Sequence, residues 1–105
     1  MAKLVKVCTE SDLPSGGKIS VGVSNESILV VHSGDKFYAV SNLCTHEKVE
    51  LVNGFLVDEE IVCLAHLSRF KLETGAVSNP PATFPLKTYR TVLESGEIYV
   101  EVGPD

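Results

Sequence analysis

A chain of 105 residues has room for one hydrophobic core, which excludes a multidomain enzyme. Apolar residues make up 44% and charged residues 22%, close to the globular average, so a disordered chain is excluded as well. The net charge of -5, with no run of Lys or Arg, argues against nucleic acid as a partner and for proteins that offer a basic docking patch.

In chain order, Met1-Ala2-Lys3-Leu4 leads into a polar-interrupted run without the apolar stretch of roughly 7 to 15 residues that an export signal needs. A cytoplasmic location is the expectation. Strands rich in Val, Ile, Tyr and Phe are predicted at Lys3 to Thr9, Lys18 to Val23, Ser27 to His32 and Lys36 to Ser41. Thr9-Glu10-Ser11-Asp12-Leu13 allows about one helical turn before Pro14 stops it. Further strands are predicted at Phe55 to Asp58, Ile61 to Cys63, Leu86 to Leu93 and Glu97 to Val102. Turns are expected at Gly16-Gly17, Asn25-Glu26, Gly34-Asp35, Glu59-Glu60, Thr74-Gly75 and Ser95-Gly96. The pattern is that of an all-β, antiparallel protein. Apolar runs such as Ile28-Leu29-Val30-Val31 fall far short of the roughly 20 residues that cross a bilayer, so no membrane span is expected. No repeat or linker divides the chain, and residues 1–105 read as one domain. The least strand-like region, about 42–85, is where function is expected, because loops on a rigid sheet scaffold usually carry the chemistry.

Three widely spaced cysteines are better read as thiols or metal ligands than as a disulfide framework. Two pairs stand out: Cys44-Thr45-His46, and Cys63-Leu64-Ala65-His66 further on. Each offers one sulfur and one nitrogen at a junction between strand and loop. That division suits a two-iron cluster whose thiolates hold one iron and whose imidazoles hold the other. Tetrahedral zinc could also use two Cys and two His, although its common spacing groups the cysteines together and the histidines together. Cys8, in the first strand, reads as a small buried hydrophobe, and His32, at a strand end, as a surface or hydrogen-bonded residue; neither is a candidate ligand.

The segment from Cys44 to His66 resembles the ligand motif of Rieske iron-sulfur proteins. The similarity extends to Leu51, Gly54, Phe70, Thr74-Gly75, Pro80-Pro81, Pro85-Leu86, Tyr89 and Gly96-Glu97-Ile98-Tyr99-Val100, and so covers nearly the whole chain. It implies the Rieske fold: antiparallel sheets with a cluster-binding subdomain of loops at one end, shielded by a Pro-rich loop around Pro80-Pro81. It also implies one 2Fe-2S cluster, with Cys44 and Cys63 on the inner iron and His46 and His66 on the outer one.

Three departures from the family pattern carry expectations. Respiratory Rieske proteins tie the two loops with a disulfide, but the corresponding positions here are Lys48 and Ala65. Ser68 is kept as a candidate donor to a cluster sulfur, while Phe70 replaces a Tyr hydroxyl, so a midpoint in the lower part of the Rieske range of roughly -150 to +300 mV is expected. Leu67 stands where many members have Gly, which leaves the shape of that loop open. The acidic residues Glu47, Glu50, Asp58, Glu59 and Glu60, near the ligands in sequence, could steer a basic reductase or simply face solvent.

The resemblance implies an electron-transfer component rather than an enzyme: a carrier between a flavin-dependent ferredoxin reductase and a terminal oxygenase of the aromatic-ring-hydroxylating type. Two alternatives are the small subunit of an assimilatory nitrite reductase and, from another class, a zinc-stabilised β interaction module.

Overall fold

The computed structural model describes residues 3–103. Among them are eleven strands: β1 (Lys3–Thr9), β2 (Lys18–Val23), β3 (Glu26–Ser33), β4 (Lys36–Ser41), β5 (Phe55–Val57), β6 (Glu60–Val62), β7 (Arg69–Lys71), β8 (Val77–Asn79), β9 (Thr88–Tyr89), β10 (Thr91–Glu94) and β11 (Glu97–Val102). Two single turns of 3-10 helix, Glu10–Asp12 and Leu51–Asn53, are the helical content of the described residues. The strands form three antiparallel sheets in the orders β1-β11-β10, β2-β3-β4-β9 and β5-β6-β7-β8.

The run Ile28-Leu29-Val30-Val31 explains how the sheets stack. All four side chains are fully buried, because β3 is covered on both faces. Ile28 and Val30 join Cys8, Ile98, Val100 and Val102 of the β1-β11-β10 sheet in one core cluster. Leu29 and Val31 face the other way, onto Ile61 and Phe70 of the β5–β8 sheet. The alternation of side chains along one strand therefore places the β2-β3-β4-β9 sheet between two cores.

The predicted strands hold in outline, with three differences. The stretch Leu86 to Leu93 is two short strands, since Thr88–Tyr89 pairs with β4 and Thr91–Glu94 pairs with β11. Arg90, at the switch between sheets, accepts the Glu101 amide instead of joining a ladder. Strands β7 and β8 lie inside the region read as least strand-like; Arg69-Phe70-Lys71 and Val77-Ser78-Asn79 are too short to show a period, and pairing with β6 makes them strands. Two turns shift by one residue. The β2–β3 hairpin turns on Ser24 and Asn25, both at positive φ, which matches a two-residue turn to the strand twist, and the β5–β6 hairpin turns on Asp58 and Glu59.

Two glycines set close approaches beneath the loops. A Cβ on Gly54 would come 2.0 Å from the Val62 carbonyl oxygen, so only glycine lets the chain pass this close to β6 just before Cys63. At Gly75, φ is +79° and a Cβ would meet the Leu86 carbonyl oxygen at 2.2 Å.

Candidate metal centre

Residues 43–50 form the first loop after β4. Its base is closed by an antiparallel bridge between Leu43 and Glu50 and by the Cys44 amide donating to the Val49 carbonyl at 2.9 Å. Beneath it lies Asn42, a fully buried side chain. Its Oδ1 accepts the Val52 amide at 2.9 Å, and its Nδ2 donates to Ser27 Oγ at 3.1 Å and to Glu50 Oε1 at 3.3 Å. One amide side chain thus ties both ends of the first loop to β3.

The second loop is the connection between β6 and β7. The Cys63 amide donates to the Ser68 carbonyl at 2.8 Å, and the Leu67 amide returns to the Cys63 carbonyl at 2.9 Å. This tight closure puts Leu67 at φ 64, the left-handed region that a side chain disfavours and glycine accepts. The loop keeps the backbone shape that suits glycine, although the residue is leucine.

Cys44 and Cys63 are both buried and free. Their thiols interact directly. Burial pushes the Cys63 thiol up, the backbone amides of Ala65 and His66 aimed at its sulfur pull it down, and the Cys44 thiol adds to the rise. The imidazoles of His46 and His66 meet edge to face, with ring centroids 5.1 Å apart, and remain 33% and 52% exposed. The Glu47 carboxylate lies 3.9 Å from His46 Nε2 and from His66 Nδ1. Two thiols turned into the core and two imidazoles turned to solvent, with one of each from either loop, form a donor set that could hold a two-iron cluster with chemically distinct irons.

The other sequence candidates separate. Cys8 is buried in the core below β1, where burial raises its thiol pKa, and His32 gives Nδ1 to the Leu13 carbonyl at 2.7 Å while stacking on Phe37. Of the five acidic residues, Glu47 alone contacts the imidazoles: Glu50 binds Asn42, Glu60 pairs with Arg69 at 2.8 Å, and Glu59 accepts the Tyr38 hydroxyl at 2.9 Å. Asp58 and Glu59 lie at the hairpin end of β6 opposite Cys63, because the strand between them runs from the turn to the ligand.

The last residue of β8, Asn79, and the third loop that follows it meet both ligand loops. Thr45 Oγ1 donates to the Phe84 carbonyl at 2.6 Å, Ser68 Oγ accepts the Ala82 amide at 3.0 Å, and Asn79 Nδ2 donates to the Leu67 carbonyl at 3.0 Å. Sequence reasoning anticipated a shielding role for Pro80-Pro81 but did not single out Asn42, Thr45 or Asn79. Thr45 and Asn79 bond carbonyls distant in the chain, and Asn42 joins a backbone amide to two side chains from separate segments, which leaves no local pattern.

A family model described as Rieske [2Fe-2S] domain matches residues 3–90. The 3-phenylpropionate/cinnamic acid dioxygenase ferredoxin subunit of Photorhabdus laumondii is 38% identical over 100 residues, which cover 94% of either chain. The structure of the ferredoxin of carbazole 1,9a-dioxygenase from Nocardioides aromaticivorans superposes with a TM-score of 0.89 at 36% identity, covering 93% of this chain and 96% of that one. A ferredoxin-like match at TM-score 0.88 and 35% identity, covering 92% of this chain and 91% of the other, comes from a complex of reduced oxygenase and oxidized ferredoxin in carbazole 1,9a-dioxygenase. A putative NADH-dependent nitrite reductase small subunit from Mycobacterium tuberculosis shares the fold, at TM-score 0.89, with 16% identity, covering 100% of this chain and 99% of that one.

Proposed function

This chain belongs to the Rieske [2Fe-2S] domain family, and we propose that it is the ferredoxin of a dioxygenase system, carrying single electrons from a flavin-dependent reductase to a terminal oxygenase. In this reading Cys44 and Cys63 hold one iron of the cluster and His46 and His66 the other. The observation that carries it is the pairing itself: two adjacent buried thiols and, on the same two loops, two imidazoles in edge contact and open to solvent. When bound, the cluster supplies a site that gains and loses one electron at a potential above that of four-cysteine ferredoxins.

The chain's own residues divide the remaining work. Core packing around Cys44 and Cys63 keeps water from the sulfurs, and the Ala65 and His66 amides stabilise negative charge on Cys63. The half-exposed imidazoles offer the shortest route outward. In the second ligand loop and the loop after β8, Leu64, Leu67 and Phe84 are apolar and 53%, 54% and 69% exposed, side chains suited to excluding water when a protein partner docks. The partner reading also draws on the relatives, which are named as ferredoxin subunits of dioxygenases and, in one case, solved with an oxygenase. We place the protein in the cytoplasm as a single domain; no helix among the described residues is long and apolar enough to cross a membrane.

Purification without oxygen, followed by visible absorption and electron paramagnetic resonance of the dithionite-reduced protein, tests the reading. A coloured protein with two irons per chain and a Rieske-type signal is expected. A colourless protein holding zinc would overturn it.

A further inference from the structure

Each ligand loop is closed on itself by backbone hydrogen bonds, but among the described residues no backbone hydrogen bond runs from one loop to the other. Nor does a disulfide join them, since every described cysteine is free. What joins the two loops, apart from the thiols, the His46–His66 edge contact and the Glu47 contacts, is the stretch from Asn79, the last residue of β8, to Phe84 in the loop that follows. It reaches the first ligand loop through Thr45, whose hydroxyl donates to the Phe84 carbonyl at 2.6 Å. It reaches the second through Ser68, whose hydroxyl oxygen accepts the Ala82 amide at 3.0 Å, and through Asn79, whose amide donates to the Leu67 carbonyl at 3.0 Å. The loop is itself anchored: Ala82 and Leu86 are buried in the core, and the Leu86 amide donates to the Gly75 carbonyl at 2.8 Å.

We propose that residues 79–84 act as a non-covalent staple between the two ligand loops, with Thr45 and Asn79 as the positioning residues that hold the Cys44/His46 and Cys63/His66 pairs at one separation. The staple does for this chain what a disulfide would do by a covalent bond. It rests on the cluster reading above, and it goes further in assigning work to side chains that touch no proposed ligand atom. Because the link to the first loop is the single Thr45 bond while the link to the second is double, its two ends are unequal. Cutting the Thr45 end removes the staple's one hydrogen bond to the first ligand loop; cutting the Asn79 end leaves Ser68 still attached.

The experiment uses five forms of the cluster-loaded protein: wild type, Thr45→Val, Asn79→Ala, the double variant, and Thr45→Ser as the conservative control. The rate of visible bleaching in excess chelator is measured on the oxidised protein, and the line width of the paramagnetic resonance signal on the reduced protein. Loss of one net hydrogen bond corresponds to roughly a fivefold change. Thr45→Val is expected to bleach roughly fivefold faster and to broaden the signal, as a spread of loop separations spreads the iron environments. Asn79→Ala is expected to have a smaller effect, Thr45→Ser to match wild type, and the double variant to bleach no faster than Thr45→Val. If Thr45→Val takes up no cluster while Thr45→Ser loads normally, the hydroxyl is required and the staple stands. Bleaching and line width unchanged in Thr45→Val, effects that multiply in the double variant, or failure of Thr45→Ser to restore wild-type behaviour would each overturn the staple. Wild type alone reports on the cluster reading, so the two can fail separately.

Discussion

His66 combines a ring half open to solvent with a backbone amide aimed at the sulfur of Cys63. A neutral imidazole ligand adds no negative charge to a cluster, whereas a thiolate adds one and disfavours the incoming electron. In His66→Cys the midpoint is expected to fall by roughly 100 mV or more, or the cluster to fail to assemble; protein-film voltammetry with iron analysis distinguishes these from an unchanged site. In the wild type, Phe70 is fully buried and brings no hydroxyl, so the midpoint itself should lie below about +150 mV in the Rieske range. Leu67 is a residue in the wrong conformation for its type. Its φ of 64 costs about 1–2 kcal/mol relative to glycine, and its side chain is more than half exposed, so little burial offsets that cost. Leu67→Gly gives back part of this gain through the greater freedom of unfolded glycine, about 0.5–1 kcal/mol. The variant is expected to be more stable by up to about 1 kcal/mol in urea unfolding.

At the scale of elements, the first ligand loop hangs from β4 and β3 by Asn42. Removing that side chain leaves the part-buried Val52 amide without its acceptor and frees Glu50 and Ser27 from their shared donor. Asn42→Ala is expected to cost about 2–3 kcal/mol in chemical unfolding, and to speed loss of iron because the base of the loop loosens. An effect below about 0.5 kcal/mol would show that the loop is held by its backbone bridge alone. The second loop has its base set by strands rather than by a buried amide. It is a hairpin connection whose register is fixed by β6 and β7, with Phe55, Val62, Arg69 and Asn79 forming one row across the β5–β8 sheet. The two ligand loops are thus built by different means, a side-chain anchor on one side and a strand ladder on the other.

For the whole molecule, stability should depend on pH through tyrosines that bind carboxylates. Burial, with Glu59 accepting its hydroxyl, pushes Tyr38 up to about 12, and burial, with Glu26 as acceptor, also raises Tyr89. A tyrosine pKa raised above its unfolded value of about 10 means that the folded state holds the proton more tightly. The stability this contributes is complete below about pH 10 and is lost as the pH rises through the folded value, for Tyr38 about 12. Unfolding free energies measured from pH 9 to pH 12 should therefore fall, and fall less steeply in Tyr38→Phe. On the acid side, hydrogen bonds from Tyr89 and Lys87 hold the Glu26 carboxyl below its ordinary range, and the Tyr99 hydroxyl does the same for Glu97. That contribution is present above the unfolded carboxyl value and is lost as the pH falls through the lower folded one.

The amino-acid sequence by itself determined the fold class, most of the strands and the four candidate ligands. Alternating burial, turn residues and two short Cys/His spacings are local signals, and each survives in a single string of letters. It also marked Leu67 as a departure, and the left-handed backbone there is the physical content of that mark. Only the tertiary structure decided that β7 and β8 are strands, that Asp58 and Glu59 lie away from the imidazoles, and that Asn42, Thr45 and Asn79 secure the loops. Those outcomes depend on backbone partners brought together across the chain. A hydrogen bond from Thr45 to the carbonyl of Phe84 depends on where the chain runs rather than on what Phe84 is, so no residue type announces it.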